Sequence, residues 1–520
     1  MINTNPSAII LGVLTLSSIL VFFMVRRKSL IKHIPGPASP SWIYGNLVQL
    51  ILSRSYGDLE FEWQKQYGSV YRIKGCFGQD RLVISDALSL QFILNGSSFQ
   101  RSPTLQNTFL TLFGQDSMIA SNDENHRRLR AGLNSAFAAG AVRRFIPVFA
   151  RTAEVLTARI EKSIRPGSIF DVCPLLNLAT LNAVGESIFG ISLEELDSDL
   201  VRNHGKSVAI AGSVSAVHII TDSLIAHIPL SVLRWTLHLP SNAFRVIRST
   251  RTLTAQLGTR LVEEKIESSR RGLERNDDVY SALLQDKTKH RLNSAEAVSQ
   301  ANLLLTAGQD GTANALAFGL HELAKHPDFQ ERLRVEIHST IGHCSGGEVA
   351  YETMPLLTAF VKEILRMYPS GPLSEQIAVK DACLPLTNEI TTTTGERITS
   401  VPIQKGQIVT LALASYQRLE SLWGSDAHEF RPDRWLSDKM FRGEAVGPYA
   451  NLLVFFGGPR TCIGWRYAVL ELKVLTCELV GKFSFRLPEN DSIQPRLANT
   501  LMPADASGNK STPLYVTRLL

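Results

Sequence analysis

The stretch Phe-Phe-Gly-Gly-Pro-Arg-Thr-Cys-Ile-Gly, residues 455–464, decides how the rest of the chain is interpreted. Its cysteine, Cys462, lies on a glycine-rich loop directly before an apolar segment that begins at Trp465 and predicts a helix. At a helix N-terminus, the dipole and the free backbone N–H groups lower the pKa of a thiol, and the thiolate is the form that binds metals. We therefore predict that Cys462 is a metal ligand. The alternative, which is the usual outcome for a lone cysteine, is a small buried apolar side chain.

Five positions of this loop match the pattern F-x-x-G-x-R-x-C-x-G, namely Phe455, Gly458, Arg460, Cys462 and Gly464. The glycines let the backbone approach a flat cofactor and donate N–H bonds to sulfur, and Arg460 can pair with a carboxylate of that cofactor. The segment resembles the haem-binding loop of the haem-thiolate monooxygenases, the cytochrome P450 family. This resemblance implies a mainly α fold with small β-sheets, haem b as the cofactor, and Cys462 as the ligand of its iron.

Two further segments agree with the resemblance in order and spacing. Glu363 and Arg366 are three residues apart, which places both on one helix face. As a bare pair this is weak evidence, because such pairs are usually solvated. The pair is similar to the family's E-x-x-R motif, and residues 430–435 resemble a second motif that contributes Arg434. The resemblance implies a structural Glu-Arg-Arg network that locks the loop holding the haem.

An apolar helical run with a cap at Asn293 continues to Lys325 and contains Ala-Gly-Gln-Asp-Gly-Thr at residues 307–312. Glycines inside such a helix cost about 1 kcal/mol each, and local violations of this kind often mark function. The segment resembles the family's oxygen-activation stretch, which implies that Gly308 leaves room for dioxygen and that Asp310 supplies protons. The alternative is a helix kink whose acid is simply paired in a salt bridge.

The sequence departs from the family pattern at Gly311, where the resemblance places a catalytic threonine. Thr312 stands one residue later, about 100° further around a helix. Thr312, a water molecule or the substrate itself would then provide the hydroxyl group. Poor coupling and chemistry other than plain hydroxylation are further alternatives. Asp310, Gly311 and Thr312 are the candidate catalytic residues.

Two basic residues of the segment Asn-His-Arg-Arg-Leu-Arg are candidates for binding the haem propionates. His126 and Arg130 are four residues apart and therefore share one helix face. They fall where the family often has W-x-x-x-R, with the histidine in place of the tryptophan. The alternative is a solvated basic face that includes Arg127 and Arg128.

The composition of the 520-residue chain is that of a large globular protein. It is 44% hydrophobic and 20% charged, which excludes a disordered chain. The six cysteines are far apart, which argues against a disulfide framework or a metal finger. The net charge of +6 is spread along the chain, so we expect no nucleic-acid partner. A membrane surface or an acidic partner protein is compatible with this charge.

The N-terminus predicts the location of the protein. Residues 7–25 carry no charge and would span about 28 Å as a helix, close to the thickness of a bilayer core, and basic residues follow at once. We therefore expect an uncleaved membrane anchor at residues 1–28, a proline-rich hinge at 29–40 and a haem-containing domain at 41–520. The positive-inside rule places that domain in the cytosol. We expect the membrane to be that of the endoplasmic reticulum. A buried core helix is the alternative for residues 7–25.

Other stretches give a coarse outline of the fold. Residues 69–85 alternate and are rich in β-branched side chains, which predicts a hairpin, whereas residues 122–380 mostly show helical periodicity. Residues 208–240 are unusually apolar. They could form core helices or a second membrane contact, and the sequence leaves both alternatives open.

The resemblance implies a monooxygenase that inserts one oxygen atom from O2 into an apolar small molecule. Electrons would come from NADPH through a separate NADPH-cytochrome P450 reductase, with cytochrome b5 as a further candidate donor and membrane lipid as a neighbour. The style of the chain resembles fungal members that modify terpenoids and other secondary metabolites. Two alternatives stay open: a haem-thiolate isomerase or dehydratase that works without a reductase, suggested by Gly311, and a non-catalytic haem protein.

Overall fold

The computed structural model describes residues 29–212, 214–228, 232–233, 235, 237–272, 278–285, 292–343, 349–437 and 445–519. The anchor helix predicted at residues 7–25 lies outside the described residues, so the anchor stays a prediction. Within the described ranges, no helix combines the length and the apolar character that crossing a bilayer requires.

Helices dominate the described residues, and the strands form small sheets, which confirms the predicted fold class. The α-helices, labelled in chain order, are α1 Leu47–Ile51, α2 Asp58–Tyr67, α3 Ala87–Asn95, α4 Pro103–Phe113, α5 Asp123–Asn134, α6 Ala139–Arg143, α7 Ile146–Ser163, α8 Cys173–Val184, α9 Ser198–Gly212, α10 Ala216–Ile225, α11 Asn242–Arg270, α12 Val279–Gln285, α13 Ser294–Lys325, α14 Pro327–His343, α15 Pro355–Met367, α16 Leu413–Tyr416, α17 Glu420–Trp423 and α18 Trp465–Lys482. Several short 3-10 turns and one π turn join them.

The β-strands are short, as expected for sheets that only flank a helical core. In chain order they are β1 Val70–Lys74, β2 Asp80–Ile84, β3 Phe99–Arg101, β4 Ile169–Asp171, β5 Leu373–Ala378, β6 Ala382–Thr391, β7 Arg397–Ile403, β8 Ile408–Ala412, β9 Phe483–Arg486, β10 Gln494–Leu497, β11 Leu501–Ala504 and β12 Pro513–Arg518. The hairpin predicted at residues 69–85 is present, because β1 and β2 pair in antiparallel register.

The chain divides into two compact units. The first consists of Met1–Thr108, Ser213–Leu239 and Leu373–Leu419, as far as these are described. It contains a five-stranded sheet of strand order β1-β2-β8-β5-β3 and the β6-β7 hairpin. In the sheet, β2 and β8 run parallel and the other neighbours run antiparallel.

The apolar stretch at residues 208–240 is neither wholly buried nor wholly exposed. On α10, Ile219 belongs to the core of the first unit together with Trp63. Val217 on the same helix and Trp235 are mostly exposed. A membrane contact of these exposed side chains stays an open alternative.

The second unit consists of Phe109–Gly212, Pro240–Pro372 and Glu420–Leu520, again as far as described. Its long helix α13 packs against α8 and α11, and α18 packs against α7. Two small sheets, β4-β12-β9 and β10-β11, belong to the same unit. All candidate site residues from the sequence lie in this unit.

The start and the end of α13 follow from its sequence. The Asn293 side chain accepts a hydrogen bond from the Glu296 N–H (2.9 Å), and the Glu296 carboxylate accepts one from the Asn293 N–H (3.0 Å). This reciprocal capping box confirms the predicted cap, because it satisfies two otherwise unpaired donors. The helix ends at Lys325, two residues before a proline, which disfavours helical geometry in the residue that precedes it.

Candidate active site

The loop that carries Cys462 is held in shape by its own backbone. Phe456 and Gly458 adopt left-handed conformations, with φ angles of 59° and 63°. The Cys462 N–H donates to the Phe455 carbonyl (2.8 Å), and the Thr461 hydroxyl donates to the Gly458 carbonyl (2.6 Å). Glycine adopts a positive φ without steric cost, which explains its fixed place at position 458. The loop is thereby folded back on itself directly before α18 begins.

The Cys462 side chain is exposed, and neighbouring protein atoms partly desolvate its thiol. Burial raises the pKa of its thiol, while a backbone N–H of Gly464 and the charge of Arg130 lower that pKa. The pKa of the Cys462 thiol is thus raised, and the lowering predicted from its place before a helix is wrong. The loss of hydration outweighs the effects of one N–H group and one guanidinium group. A metal cation on the sulfur would supply the positive charge that stabilises the thiolate, since coordinating thiols are deprotonated.

Phe455 and Gly464 lie before and after the cysteine. The Phe455 ring is buried, with its centroid 6.3 Å from that of Tyr449 and 6.5 Å from that of Trp465, so it fixes the loop to the core. Gly464 is the N-cap residue of α18. A Cβ built on Gly464 would have no described neighbour nearer than the Phe137 ring, at 3.9 Å. There is therefore space beside this glycine in which a flat cofactor could approach the backbone.

Of the three basic residues predicted to bind the cofactor, Arg460 lies in the cysteine loop, and His126 and Arg130 lie on α5. Arg130 Nη1 donates to the Thr461 carbonyl (2.6 Å), next to Cys462 in the chain. Arg460 Nη1 donates to the Ser121 carbonyl (2.9 Å). His126 is buried on α5, one helical turn before Arg130. Guanidinium groups placed in this way can also pair with carboxylates, as binding of haem propionates requires.

The Glu363 carboxylate is the centre of a buried ion cluster. Arg366 donates to both of its oxygens (2.9 and 2.8 Å), and Arg434 donates to one of them (3.0 Å). The indole Nε1 of Trp435 and the backbone N–H of Arg431 add two more bonds, each of 2.8 Å. Glu363 and Arg366 are fully buried and Arg434 nearly so. The structure therefore brings together the three residues of the predicted structural network.

The two arginines of this cluster also hold the chain at residues 426–429, which lies N-terminal to the cysteine loop. Arg366 donates to the carbonyl groups of Ala427 (2.5 Å) and Glu429 (2.9 Å). Arg434 donates to the Asp426 carboxylate and to the Asp426 carbonyl, each at 2.8 Å. Each guanidinium thus ties a backbone turn to α15, which is the geometry expected of a structural lock.

Gly308 has a packing function that the sequence interpretation did not include. A Cβ built on this glycine would lie 2.6 Å from Cγ2 of Val184 on α8. Real Cβ atoms do not approach so closely, so α13 and α8 can touch here only because position 308 lacks a side chain. Room for dioxygen is therefore not needed to explain this glycine.

Asp310 is buried and paired. Its Oδ1 lies 2.8 Å from the Lys510 ammonium, and the Thr500 hydroxyl donates to its Oδ2. Lys510 also donates to Asn177 on α8 (2.8 Å). The alternative of a salt-bridged acid thus describes the observed geometry, while a role in proton supply stays a hypothesis. Sequence reasoning missed Lys510 and Thr500, because no motif marks them.

Thr312 and the bare position of Gly311 face different neighbours. Thr312 is buried, and its hydroxyl lies against the Glu471 carboxyl on α18, where it lowers the pKa of that acid. A Cβ built on Gly311 would instead face Ser370, whose Oγ lies 3.0 Å away. Thr312 and a side chain at position 311 would therefore face different elements. The role of Thr312 as the source of the hydroxyl group stays a hypothesis.

Glu471 is a second residue that sequence reasoning missed. Its side chain is fully buried, and neither carboxyl oxygen makes a well-formed hydrogen bond to a residue that the structure describes. Burial raises the pKa of Glu471 well above its usual range, and the Thr312 hydroxyl offsets this only in part. The sequence signal that could have identified Glu471 is an acidic residue within the apolar segment that forms α18. The raised pKa favours the protonated, neutral form of this carboxyl group.

Replacing Glu471 with Gln is expected to remove a pH dependence of the free energy of unfolding. The folded state keeps a proton that the unfolded chain releases above about pH 4.3. The free energy of unfolding is therefore highest at low pH. It falls by about 1.4 kcal/mol per pH unit until the pH passes the raised folded-state pKa. Urea unfolding at pH 5, 6 and 7 measures this slope in the wild type and in Glu471→Gln.

In that experiment, Glu471→Gln gains stability relative to the wild type as the pH rises. Glu478→Gln is the control, because Glu478 lies on the same helix and pairs with Lys482 at a partly exposed position. Its unfolding profile is expected to run parallel to that of the wild type. Parallel profiles for Glu471→Gln as well would show that the buried acid is not neutral.

The geometry fits a haem bound through sulfur. A partly exposed cysteine on a backbone-locked loop, space beside Gly464, and the Arg130 guanidinium next to the loop suit an iron–thiolate bond and propionate anchoring. These features define the class of haem-thiolate proteins. Haem b supplies the iron at which dioxygen is activated. Cys462 would hold the iron through its sulfur, and Arg130, Arg460 and His126 would hold the propionates.

The chain belongs to the cytochrome P450 family, whose model, described as Cytochrome P450, matches residues 35–507. The chain is 30% identical over 530 residues to cytochrome P450 monooxygenase 91 of Postia placenta, which covers 96% of each chain. It is 28% identical over 513 residues to cytochrome P450 monooxygenase claO of Ampulloclitocybe clavipes, covering 95% of this chain and 94% of that one. The protein is therefore an oxidoreductase, a monooxygenase with haem b as its cofactor.

Proposed function

We propose that the protein inserts one oxygen atom from O2 into an apolar small molecule, a terpenoid or another secondary metabolite. Electrons come from NADPH through a separate reductase. The observation that carries the proposal is the partly exposed Cys462 sulfur on its locked loop. The similar proteins named above are fungal monooxygenases, in agreement with this class of reaction. The substrate class rests on the resemblance of the chain to fungal enzymes of natural-product biosynthesis.

A basic surface on α5 supports the proposed reductase partner. Arg127 and Arg128 are exposed, and Arg128 pairs with Glu296, whereas Arg130 turns inward to the Thr461 carbonyl. The helix thus has one solvated basic face and one face toward the cysteine loop. An acidic reductase on the solvated face would lie close to the haem ligand, and complementary charge would speed its encounter. Cytochrome b5 is proposed as an alternative occupant of this face.

We propose that the protein is anchored in the endoplasmic reticulum membrane by residues 7–25, with its catalytic domain in the cytosol. The first described residues support this location, because Leu30, Trp42 and Ile43 are exposed apolar side chains. Tryptophan is enriched where proteins meet the membrane–water interface. The exposed Lys32 adds positive charge that suits anionic lipid. Deletion of residues 1–28 is therefore expected to reduce the share of the protein that pellets with membranes.

A reconstituted assay under labelled oxygen tests the proposed reaction. Microsomes that contain the full-length protein and NADPH-cytochrome P450 reductase are incubated with a panel of terpenes under ¹⁸O2. We expect a product that carries one ¹⁸O atom and that forms only when NADPH and the reductase are both present. Label from water in place of O2, or product without NADPH, would contradict the proposal.

The alternative functions give different results in the same microsomes. Gly311 favours an isomerase or dehydratase, because no hydroxyl group projects from α13 at this position. Such an enzyme would convert an added lipid hydroperoxide without NADPH or reductase. A non-catalytic haem protein would show the thiolate spectrum but convert neither the terpenes nor the hydroperoxide.

A further inference from the structure

Gly311 and Ser370 face one another across a short gap. Gly311 belongs to α13, and Ser370 lies in the loop between α15 and β5. A Cβ built on Gly311 would lie 3.0 Å from the Oγ and 3.6 Å from the Cβ of Ser370. Apart from its own helix, no other described atom comes within 4 Å of that Cβ. The Ser370 hydroxyl therefore borders the volume that a side chain at position 311 would fill.

The backbone at Ser370 is fixed, but its hydroxyl group remains available. The Leu501 N–H donates to the Ser370 carbonyl (2.8 Å), and Pro369 restricts the preceding backbone. The side chain is half-buried, and the structure shows no hydrogen bond from its Oγ to the residues that it describes. A hydroxyl group offers one donor and two acceptor lone pairs. It can therefore bind a water molecule or a ligand beside Gly311.

The β10-β11 hairpin connects Ser370 with Asp310. The Thr500 hydroxyl donates to the Asp310 carboxylate. The next residue, Leu501, binds the Ser370 carbonyl through its N–H and accepts a hydrogen bond from Asn314 Nδ2 on α13 (3.1 Å) through its carbonyl. One hairpin thus places an acid and an available hydroxyl group against the same part of α13. This is the part in which the family pattern expects the catalytic threonine.

We propose that Ser370 supplies the hydroxyl group that Gly311 lacks, and that it would hold a water molecule and its proton beside Gly311 during oxygen activation. The proposal deepens the proposed function, since it rests on the monooxygenase reaction. It explains how glycine is tolerated at 311: the hydroxyl group comes from the facing loop instead of from the helix. Thr312 projects from α13 in another direction, about 100° around the helix axis from position 311.

Ser370→Ala in the full-length holoenzyme is the direct test. The first readout is the low-spin fraction in the absorption spectrum of the resting protein, which needs neither substrate nor reductase. The second is the hydrogen peroxide released per NADPH in microsomes with reductase. We expect Ser370→Ala to lower the low-spin fraction and to raise the peroxide share several-fold. Ser370→Thr keeps a hydroxyl group and is expected to stay close to the wild type in both readouts.

Variants at Gly311 test the same geometry from the opposite side. Gly311→Thr places its Cβ against the Ser370 hydroxyl, so we expect it to lower the thermal midpoint more in the wild type than in Ser370→Ala. Residues in direct contact are non-additive in this way. In the double variant, the new threonine returns a hydroxyl group from α13. We therefore expect its peroxide share to fall back toward that of the wild type.

Controls separate a hydrogen-bonding role from a structural one. Ser339→Ala changes an exposed serine on α14 and is expected to leave both readouts unchanged. The thermal midpoint of Ser370→Ala should equal that of the wild type. If Ser370→Ala leaves both readouts unchanged, or if Ser370→Thr shifts them as much as Ser370→Ala does, the proposal is overturned. A wild type that consumes no oxygen with NADPH and reductase contradicts the proposed electron supply, and the spin-state readout then decides the role of Ser370 alone.

Discussion

Cys462→Ser is expected to abolish the red-shifted band in the reduced carbon-monoxide difference spectrum and all NADPH-driven turnover. The band depends on a thiolate bond to iron, because the sulfur donates electron density that an alcohol oxygen does not. The backbone around the sulfur should persist, since the Cys462 N–H bond to the Phe455 carbonyl does not involve the side chain. Loss of the band would therefore report the iron ligand and not the collapse of the loop.

Cys383→Ser is the matched control for this experiment. Cys383 is also a free and exposed cysteine, but it lies on β6 in the first unit of the chain. Its replacement is expected to leave the difference spectrum at wild-type intensity. If Cys462→Ser retains the band, or if purified wild type binds its porphyrin through a nitrogen ligand, the assignment of Cys462 is wrong.

The parts of the site that could be predicted from the sequence are those set by local chain geometry. The cysteine loop depends on backbone bonds within residues 455–464, and Gly458 adopts the positive φ that only glycine takes without cost. Glu363 and Arg366 share a helix face by spacing alone. The start of α13 was readable at Asn293, because a capping box needs only four consecutive residues.

The parts that could not be predicted depend on residues far apart in the chain. Lys510 reaches Asp310 across the second unit, and Ser370 meets Gly311 from a loop between two other elements. Such pairs follow from the packing of helices and hairpins, which periodicity does not encode. The predicted lowering of the Cys462 thiol pKa was wrong for a related reason. Its sign depends on how completely the fold excludes water, whereas the sequence shows only that a helix follows.

Position 312 illustrates why adjacent residues on a helix are not interchangeable. Thr312 and Gly311 are about 100° apart around the helix axis, so their side chains meet different elements. The structure resolves this as a contact with Glu471 on α18 for one and with Ser370 for the other. From the sequence alone, Thr312 was an equal candidate for the missing hydroxyl group. Only the direction of each Cα–Cβ bond distinguishes them.

Glu363→Ala is expected to lower the free energy of unfolding by about 3–5 kcal/mol, as measured by urea unfolding. The carboxylate accepts five hydrogen bonds and neutralises Arg366 and Arg434, which are buried beside it. Without it, the buried Arg366 guanidinium would lose the carboxylate that it pairs with, and Arg434 would retain only its pair with Asp426. The desolvation of an unpaired charge is far costlier than the loss of an exposed ion pair.

Glu389→Ala provides the comparison within the same protein. Glu389 pairs with Arg397 at 2.9 Å, but the two side chains are 52% and 73% exposed. We expect its replacement to cost between 0 and about 1 kcal/mol, because water and salt screen such a pair. The two variants remove the same functional group, so the difference between them measures what burial adds. Equal losses would mean that the cluster contributes no more than a surface pair.

A second substitution at the same position, Glu363→Gln, tests how the cluster acts on the haem ligand. Arg366 and Arg434 bind carbonyl groups of residues 426–429, N-terminal to the cysteine loop, and Glu363 binds both guanidinium groups. We therefore expect Glu363→Gln, which keeps the shape but not the charge, to retain less haem and to lose part of the red-shifted band before its global unfolding begins. If the band and global unfolding decline together across the urea titration, the cluster stabilises the second unit as a whole and does not lock the loop.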